Sequence, residues 1–159
     1  MICAALTLLA VDPPIWSANW AWSLPLIVLA VVIHVLGLDL INRRITRVSS
    51  PARERRYSTA AFVVIMGATT LCATILHGEE AAIWAIAYRL LSALPDQRSA
   101  ILYSLSAMTS YGHANLFLEA HWQLMGAMEA LNGWLLFGLT TAFLFAMIEK
   151  VGSLMGNET

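Results

Sequence analysis

The stretch S-L-S-A-M-T-S-Y-G-H-A-N, residues 104–115, decides the fold because it connects a short apolar segment with a long one. The whole chain has 159 residues, of which 59% are hydrophobic and only 12% are charged. A soluble domain of this size has too small an interior to bury so much apolar surface. The composition therefore predicts an integral membrane protein, and the apolar spans described next make it all-α.

Three segments have the roughly 20 mostly apolar residues that a spanning helix needs. They are Trp20 to Ile41, Thr59 to His77, and Trp122 to Ile148. Asn42 to Tyr57, between the first two, holds six of the nine Lys and Arg residues, and the positive-inside rule places such a loop in the cytoplasm. We therefore expect a multi-pass protein of the cell (inner) membrane, with its N-terminus outside and its C-terminus cytoplasmic.

The segment between the second and third spans begins and ends on the outer side of the membrane. Ala81 to Leu94 is apolar but too short to cross a bilayer, so we expect an interfacial or turret helix that continues the second span. Pro95 to Arg98 form a turn, and Ser99 to Thr109 form a short re-entrant helix. Irregular backbone is tolerated at membrane depth only inside protein or beside a water-filled cavity. This pattern indicates a pore or a vestibule.

Two stretches resemble the filter and the glycine-hinge region of bacterial potassium channels of the pore-loop type. The first is residues 109–115, T-S-Y-G-H-A-N, and the second is residues 132–142, N-G-W-L-L-F-G-L-T-T-A. A gapless alignment with the family's T-T-V-G-Y-G-D keeps the spacing to the pore helix. It makes the filter Thr109, Ser110, Tyr111, Gly112, His113, Ala114 and Asn115, in that order. A shifted register instead pairs Tyr111, Gly112 and His113 with the Y-G-D of the family.

The resemblance covers about Thr59 to Val151 and implies the organisation of the chain. Residues 1–57 form an extra transmembrane helix and the basic cytoplasmic loop, residues 58–151 form the pore domain, and residues 152–159 form a short cytoplasmic tail. Each subunit then has three transmembrane helices, a re-entrant pore helix and a filter loop. Four subunits surround one axis as a homotetramer in membrane lipid, and filter carbonyls replace the hydration shell of a permeant cation such as potassium.

Five of the seven filter residues differ from the potassium signature, and three of these differences bear on ion passage. Ala114 stands where the family has a glycine, and a left-handed conformation costs an L-residue about 1 to 2 kcal/mol. Asn115 replaces a carboxylate and so removes negative charge at the outer mouth. His113 replaces a tyrosine and titrates near neutral pH. Four such imidazoles at the axis would act as a pH-sensitive barrier, a proton relay or a metal-binding ring, whereas imidazoles behind the filter would support it by hydrogen bonds.

The inner helix carries a candidate gate. The residues concerned are Gly133, Trp134, Phe137, Thr141 and Phe145. Gly133 falls where the related channels have their hinge glycine, so it would permit the helix to bend. The other four recur at spacings of three or four and share one helix face. If that face lines the pore, its aromatic rings form a hydrophobic gate; the alternative is that the rings pack between helices.

Two ionisable residues lie within predicted spans, where a charge is costly. Glu129 is expected to be a protonated or hydrogen-bonded carboxyl that ties the inner helix to the pore helix or the outer helices. Proton sensing and ion binding are the alternatives. His34, in the middle of the first span, is expected to hydrogen-bond across helices, with metal binding as the alternative. Asp39 and Arg43 have the spacing of a local ion pair.

A candidate outer cation site combines imidazole and carboxylate groups, which are ligands of zinc and similar metals. Its members are His77, Glu79, Glu80, Glu119 and His121. A polar rim that pairs with Arg89 or Arg98 is the alternative, because the spacing matches no zinc motif.

The sequence favours a cation channel with an altered filter over two other functions. One is a non-conducting, pore-shaped sensor or scaffold, and the weaker one is a membrane metalloprotein. The chain has no nucleophile elbow, phosphate loop or paired-carboxylate pattern, so an enzyme is not expected. A net charge of −1 without a clustered basic face gives no reason to expect a nucleic-acid partner.

Overall fold

The computed structural model describes residues 13–49, 58–112 and 115–153, and these residues are helical apart from short connections. Helix α1 comprises Pro13–Ser49, α2 comprises Thr59–Leu90, α3 comprises Gln97–Thr109 and α4 comprises Gln123–Gly152. One turn of 3-10 helix, Ala120–Trp122, precedes α4. The described residues contain no β-strand, so the all-α prediction is confirmed for this part of the chain.

Three helices are long and apolar enough to cross a membrane, as the sequence predicts. The apolar spans are Trp16–Arg47, Thr59–Leu90 and Ala120–Gly152, of 32, 32 and 33 residues. At 1.5 Å per residue each is about 48 Å long, which exceeds the hydrocarbon thickness of about 30 Å. The helices therefore extend beyond the hydrocarbon layer.

The second span and the turret segment form one continuous helix, α2, which ends at Leu90 rather than at Leu94. The helix stops because Ser92 takes a left-handed conformation with φ of 54°. The Ala93 N–H bonds to the Tyr88 carbonyl and the Ser92 N–H to the Arg89 carbonyl. This pair of bonds is a Schellman motif, which satisfies the last carbonyls of a helix.

Helix α3 is defined by a cap at each end. Asp96, in extended backbone, accepts hydrogen bonds from the Ser99 backbone N–H at 2.9 Å and from its hydroxyl at 2.7 Å. Such an N-cap satisfies the exposed donors of the first turn. At the other end Ser110 is left-handed, with φ of 55°, and the Tyr111 N–H bonds to the Ser106 carbonyl. The 13-residue helix therefore begins and ends at fixed positions.

The chain forms two compact units, and α1, α2 and α4 each contribute to both. The first unit holds the described residues up to Ala30 and Ala81–Trp134; the second holds Val31–Glu80 and the described residues from Leu135 on. In the first unit Asn19 of α1 is buried. Its side-chain oxygen accepts from the Met125 N–H at 2.9 Å, so α1 caps the first turn of α4.

In the second unit the helices approach closely at a glycine. A Cβ at Gly37 of α1 would lie 2.7 Å from the Leu76 side chain of α2. Near the C-terminal ends of α1 and α4, Lys150 of α4 donates to the side chains of Asn42 and Thr46 of α1, at 2.9 and 2.8 Å. The predicted local pair of Asp39 and Arg43 is present at 2.8 Å on the surface.

The N-cap of α3 predicts a pH dependence. The hydrogen bonds from the Ser99 backbone and hydroxyl hold the pKa of Asp96 below its usual range. Because the folded-state pKa is lowered, the cap stabilises the protein above the ordinary carboxyl pKa of about 3.9, and this stabilisation is lost as the pH falls through the folded value. The thermal unfolding midpoints of the wild type and Asp96→Asn should differ at neutral pH, and this difference should disappear as the pH is lowered. Parallel curves would contradict the cap.

Candidate functional site

The carboxyl group of Glu129 joins three helices inside the first unit. Glu129 is fully buried on α4. Its Oε2 accepts a hydrogen bond from the Tyr88 hydroxyl of α2 at 2.6 Å, and its Oε1 is hydrogen-bonded to the Ser104 hydroxyl of α3. The residue that the sequence singles out as a tie between the inner helix and its neighbours therefore contacts both the outer helix and the short helix.

Proton counting indicates the state of this carboxyl group. The Ser104 hydroxyl also lies 2.7 Å from the Ala81 carbonyl, which can only accept. The hydroxyl has one proton, so it cannot donate to both Ala81 and Glu129. A neutral Glu129 that donates to Ser104, while Ser104 donates to Ala81, satisfies every contact. A neutral carboxyl also avoids the cost of a buried charge.

The segment that follows α3 has positive φ at two alternate residues. Thr109 is the last residue of α3. Ser110 has φ of 55° and Gly112 has φ of 77°, with Tyr111 between them. Tyr111 is 85% exposed, and Asn115 is also exposed. The predicted filter residues His113 and Ala114 lie outside the described residues.

Helix α4 contacts the end of α3 backbone to backbone at Gly133. A Cβ at Gly133 would lie 2.4 Å from the carbonyl oxygen of Met108. The next residue, Trp134, donates its indole N–H to the Ser110 hydroxyl at 2.7 Å. The structure thus gives Gly133 a packing role that the sequence does not indicate, and α4 is continuous through it. Its role as a hinge stays a prediction.

A groove of about 380 Å³ lies beside this contact in the first unit. It is bordered by α3, by the segment after it and by α4, with Tyr103, Ser106, Ser110, Gly112 and Phe117 among its lining residues. Sequence reasoning missed the groove. The available signal was the pair of small residues Gly126 and Ala127, which leave room beside α3.

The side chains of the remaining gate residues are exposed on the surface of the single chain. Phe137 and Phe145 are 65% and 62% exposed, and Thr141, also exposed, donates to the Phe137 carbonyl at 2.9 Å. Trp134 is exposed as well. These side chains are therefore available to a pore, to lipid or to another subunit.

The structure divides the predicted outer cation residues. Glu119 and His121 are exposed in the first unit, and Glu79 is exposed in the second. His77 and Glu80 of the second unit meet His34 of α1 instead. His34 does hydrogen-bond across helices, to Glu80 at 2.8 Å. Of the arginines predicted to pair with the rim, Arg89 donates to the Leu94 carbonyl at 2.6 Å.

Comparison of the chain with protein-family models, with curated proteins and with solved structures gives no match. The functional inference therefore rests on the chain's own residues and their geometry.

The contact at Gly133 predicts that the two glycines of the inner helix respond differently to alanine. Gly133→Ala should weaken the packing of α3 on α4, because the new methyl group meets backbone that cannot rotate away. Gly138 has nothing within 4 Å of its Cβ position, so Gly138→Ala should be neutral or stabilising by up to about 1 kcal/mol. Thermal unfolding of the purified variants measures both. Equal effects would contradict the close contact.

The proton arrangement at Glu129 predicts that an amide group can take the place of the carboxyl group without loss of hydrogen bonds. In Glu129→Gln the amide oxygen accepts from Tyr88 and the amide N–H donates to Ser104, so stability should change little. Glu129→Ala leaves buried hydroxyls without a partner and should cost about 2 kcal/mol or more. The unfolding midpoint checks both, with Glu149→Gln as a control for an exposed carboxyl on the same helix. If Gln is as damaging as Ala, the carboxyl is ionised.

Proposed function

We propose that this protein is a potassium-channel-like cation channel, a homotetramer in which residues 109–115 form the constriction. The observation that carries the proposal is the meeting of Gly133 with the last turn of α3. Gly133 is ten residues beyond Gln123, the first residue of α4. At 1.5 Å per residue it lies about 15 Å along that helix. Gly133 therefore lies within one helical turn of the middle of the third span, Ala120–Gly152.

On this geometry α3 is a re-entrant pore helix. It begins just beyond Leu90, the end of α2, and its last turn reaches the middle of the third span. Tyr111, Gly112 and the described residues 115–119 that follow it are not helical, and Tyr111 and Gly112 are exposed in the single chain. Irregular backbone at such depth needs either a protein neighbour or water. Four copies around an axis supply both, because each segment then packs against its neighbours and faces a central pathway.

The alternating conformation supports a filter of carbonyls. Ser110 and Gly112 have positive φ with Tyr111 between them, and an alternating backbone of this kind would let the carbonyls of a filter face one pathway. Glycine adopts this conformation without strain, whereas Ser110 relies on its hydrogen bond from Trp134. We therefore expect permeation of monovalent cations with weaker potassium selectivity than an all-glycine filter gives, and a pH response if His113 faces the axis.

The same pathway continues along α4. The exposed rings of Phe137 and Phe145 and the Thr141 hydroxyl form the face that would line it below the filter. Rings at a narrow point exclude water, so this face would act as the gate.

The charged end of the second unit supports the orientation. Arg43, Arg44 and Arg47 of α1 are exposed, and Lys150 of α4 bonds to the same stretch of α1. Cations near helix ends favour the cytoplasmic side of the membrane. We infer that this end, with the C-terminus, lies in the cytoplasm of a cell (inner) membrane.

Cation flux through the purified protein in liposomes tests the proposal. Potassium and sodium should both pass faster than through empty liposomes, and His113→Ala should alter the pH dependence of the rate. Gly112→Ala should reduce flux sharply, because its φ of 77° strains any L-residue. Gly67→Ala, with open space around its Cβ position, is the matched control and should conduct normally.

Two results would overturn the proposal. Absence of flux at every pH and for every cation would favour the non-conducting sensor or scaffold. A mass in detergent or nanodiscs that corresponds to one or two copies would remove the fourfold axis on which the filter depends.

A further inference from the structure

A second polar cluster, outside the proposed pathway, lies in the second unit. Its members are His34 of α1, His77 and Glu80 of α2, and Thr140 of α4. His34 and Glu80 have no exposed side-chain surface, whereas His77 keeps 28% of its side chain exposed. Ionisable groups enclosed by apolar helices are costly unless they are paired or bind an ion. The four side chains together therefore need either a complete set of hydrogen bonds or a bound ion.

Four close contacts join these side chains in a ring. His34 Nδ1 lies 2.8 Å from Glu80 Oε1, and His77 Nδ1 lies 3.2 Å from Glu80 Oε2. Thr140 Oγ1 lies 3.1 Å from His34 Nε2 and 3.0 Å from His77 Nε2. Both nitrogens of each imidazole are therefore engaged.

This ring of four contacts has one proton too few when Glu80 is ionised. Two neutral imidazoles and one hydroxyl carry three protons, so one of the four contacts lacks a proton when Glu80 is ionised. The structure places that gap at His77, because Glu80 Oε2 is buried and makes no hydrogen bond with the residues that the structure describes. A bare nitrogen lone pair and a carboxylate oxygen then face each other, which is unfavourable unless a cation lies between them.

We propose that His34, His77 and Glu80 bind a divalent transition metal ion of the zinc class. Two imidazoles and one carboxylate are a donor set that zinc accepts, and Mg²⁺ and Ca²⁺ prefer oxygen ligands alone. One ligand atom from each residue lies within 4.8 Å of the others. Ligands of a tetrahedral zinc at about 2.0 to 2.1 Å lie about 3.3 Å from one another. His77 Nδ1 and Glu80 Oε2, 3.2 Å apart, already have nearly this separation. No pair in the set is more than 4.8 Å apart, so the side chains need only move closer together to complete the site.

Thr140 orients both imidazoles for the metal. Metal-binding histidines usually donate their second ring N–H to an oxygen, which fixes the tautomer and the ring direction. With a metal bound, the two lone pairs of the Thr140 hydroxyl oxygen would accept from Nε2 of both His34 and His77. Each Nδ1 then presents a lone pair on the Glu80 side. The exposed edge of His77 supplies the access route, and the fourth coordination position stays open for water.

The proposed site would link α1 to α2 directly and to α4 through Thr140. It does not depend on conduction, and it differs from the outer site that the sequence suggests, because it includes His34 and excludes Glu79, Glu119 and His121.

Zinc titration of the full chain, purified without a histidine tag and stripped with a chelator, tests the site. We expect one zinc per chain after desalting, a raised unfolding midpoint, and visible absorption of bound Co²⁺ that is typical of tetrahedral coordination. Mg²⁺ should produce none of these effects. His34→Ala and Glu80→Gln should each weaken zinc binding more than 100-fold. Thr140→Val keeps all three ligands and the helix shape, and should weaken binding 10- to 100-fold.

Control variants decide where the metal binds. His121→Ala and Glu119→Gln change exposed residues of the first unit and should bind zinc like the wild type. Because His34→Ala could fail to fold, Thr140→Val is scored independently of it. The proposal is overturned if the wild type binds no zinc and only its unfolding midpoint shifts with pH, since a proton then fills the ring. It is also overturned if the cluster variants all bind zinc like the wild type, or if the exposed variants abolish binding.

Discussion

The buried carboxyl group of Glu129 is the interaction on which the first unit depends. In lipid the tails surrounding a helix are as apolar as its side chains, so burial of apolar surface gives helices little reason to associate in one arrangement. A polar group in hydrocarbon instead requires specific partners. The hydroxyls of Tyr88 and Ser104 satisfy Glu129 only when α2 and α3 both lie beside α4. One carboxyl thereby fixes the position of the short helix that leads into the proposed filter.

The second unit uses the same principle with different chemistry. His34, Glu80, His77 and Thr140 belong to three helices, and each side chain contacts two others of the set. The two networks differ in how protons balance. A neutral carboxyl completes the network around Glu129. The ring of contacts among His34, Glu80, His77 and Thr140 instead needs one further positive charge. The first network is therefore suited to holding helices together, and the second to binding a cation.

Small residues and left-handed serines complete the arrangement. Gly133 and Gly37 both lie at close contacts. A Cβ at Gly133 would meet the Met108 backbone, and one at Gly37 would require the Leu76 side chain to move. Ser92 and Ser110 end α2 and α3 with positive φ, a conformation that usually belongs to glycine. Each serine costs some backbone energy, and at Ser110 the hydrogen bond from Trp134 offsets part of that cost. The turns before and after α3 are thus fixed by local chemistry.

The sequence by itself determined the spans, because the requirement for about 20 apolar residues and the clustering of arginines are local properties. It also determined the short helix, whose cap at Asp96 lies next to it in the chain. It did not determine that α2 stops at Leu90, because the left-handed residue that ends the helix is Ser92 and not a glycine, which would have indicated the turn.

Only the tertiary structure decided which polar groups meet. The sequence places His77 and Glu80 on one helix face, but the packing of α1 on α2, in which Gly37 lies against Leu76, brings His34 to them. Glu119 and His121 are exposed in the first unit instead. Hydrogen bonds between spans depend on the packing and rotation of whole helices, and an apolar sequence specifies helix formation far more strongly than helix rotation.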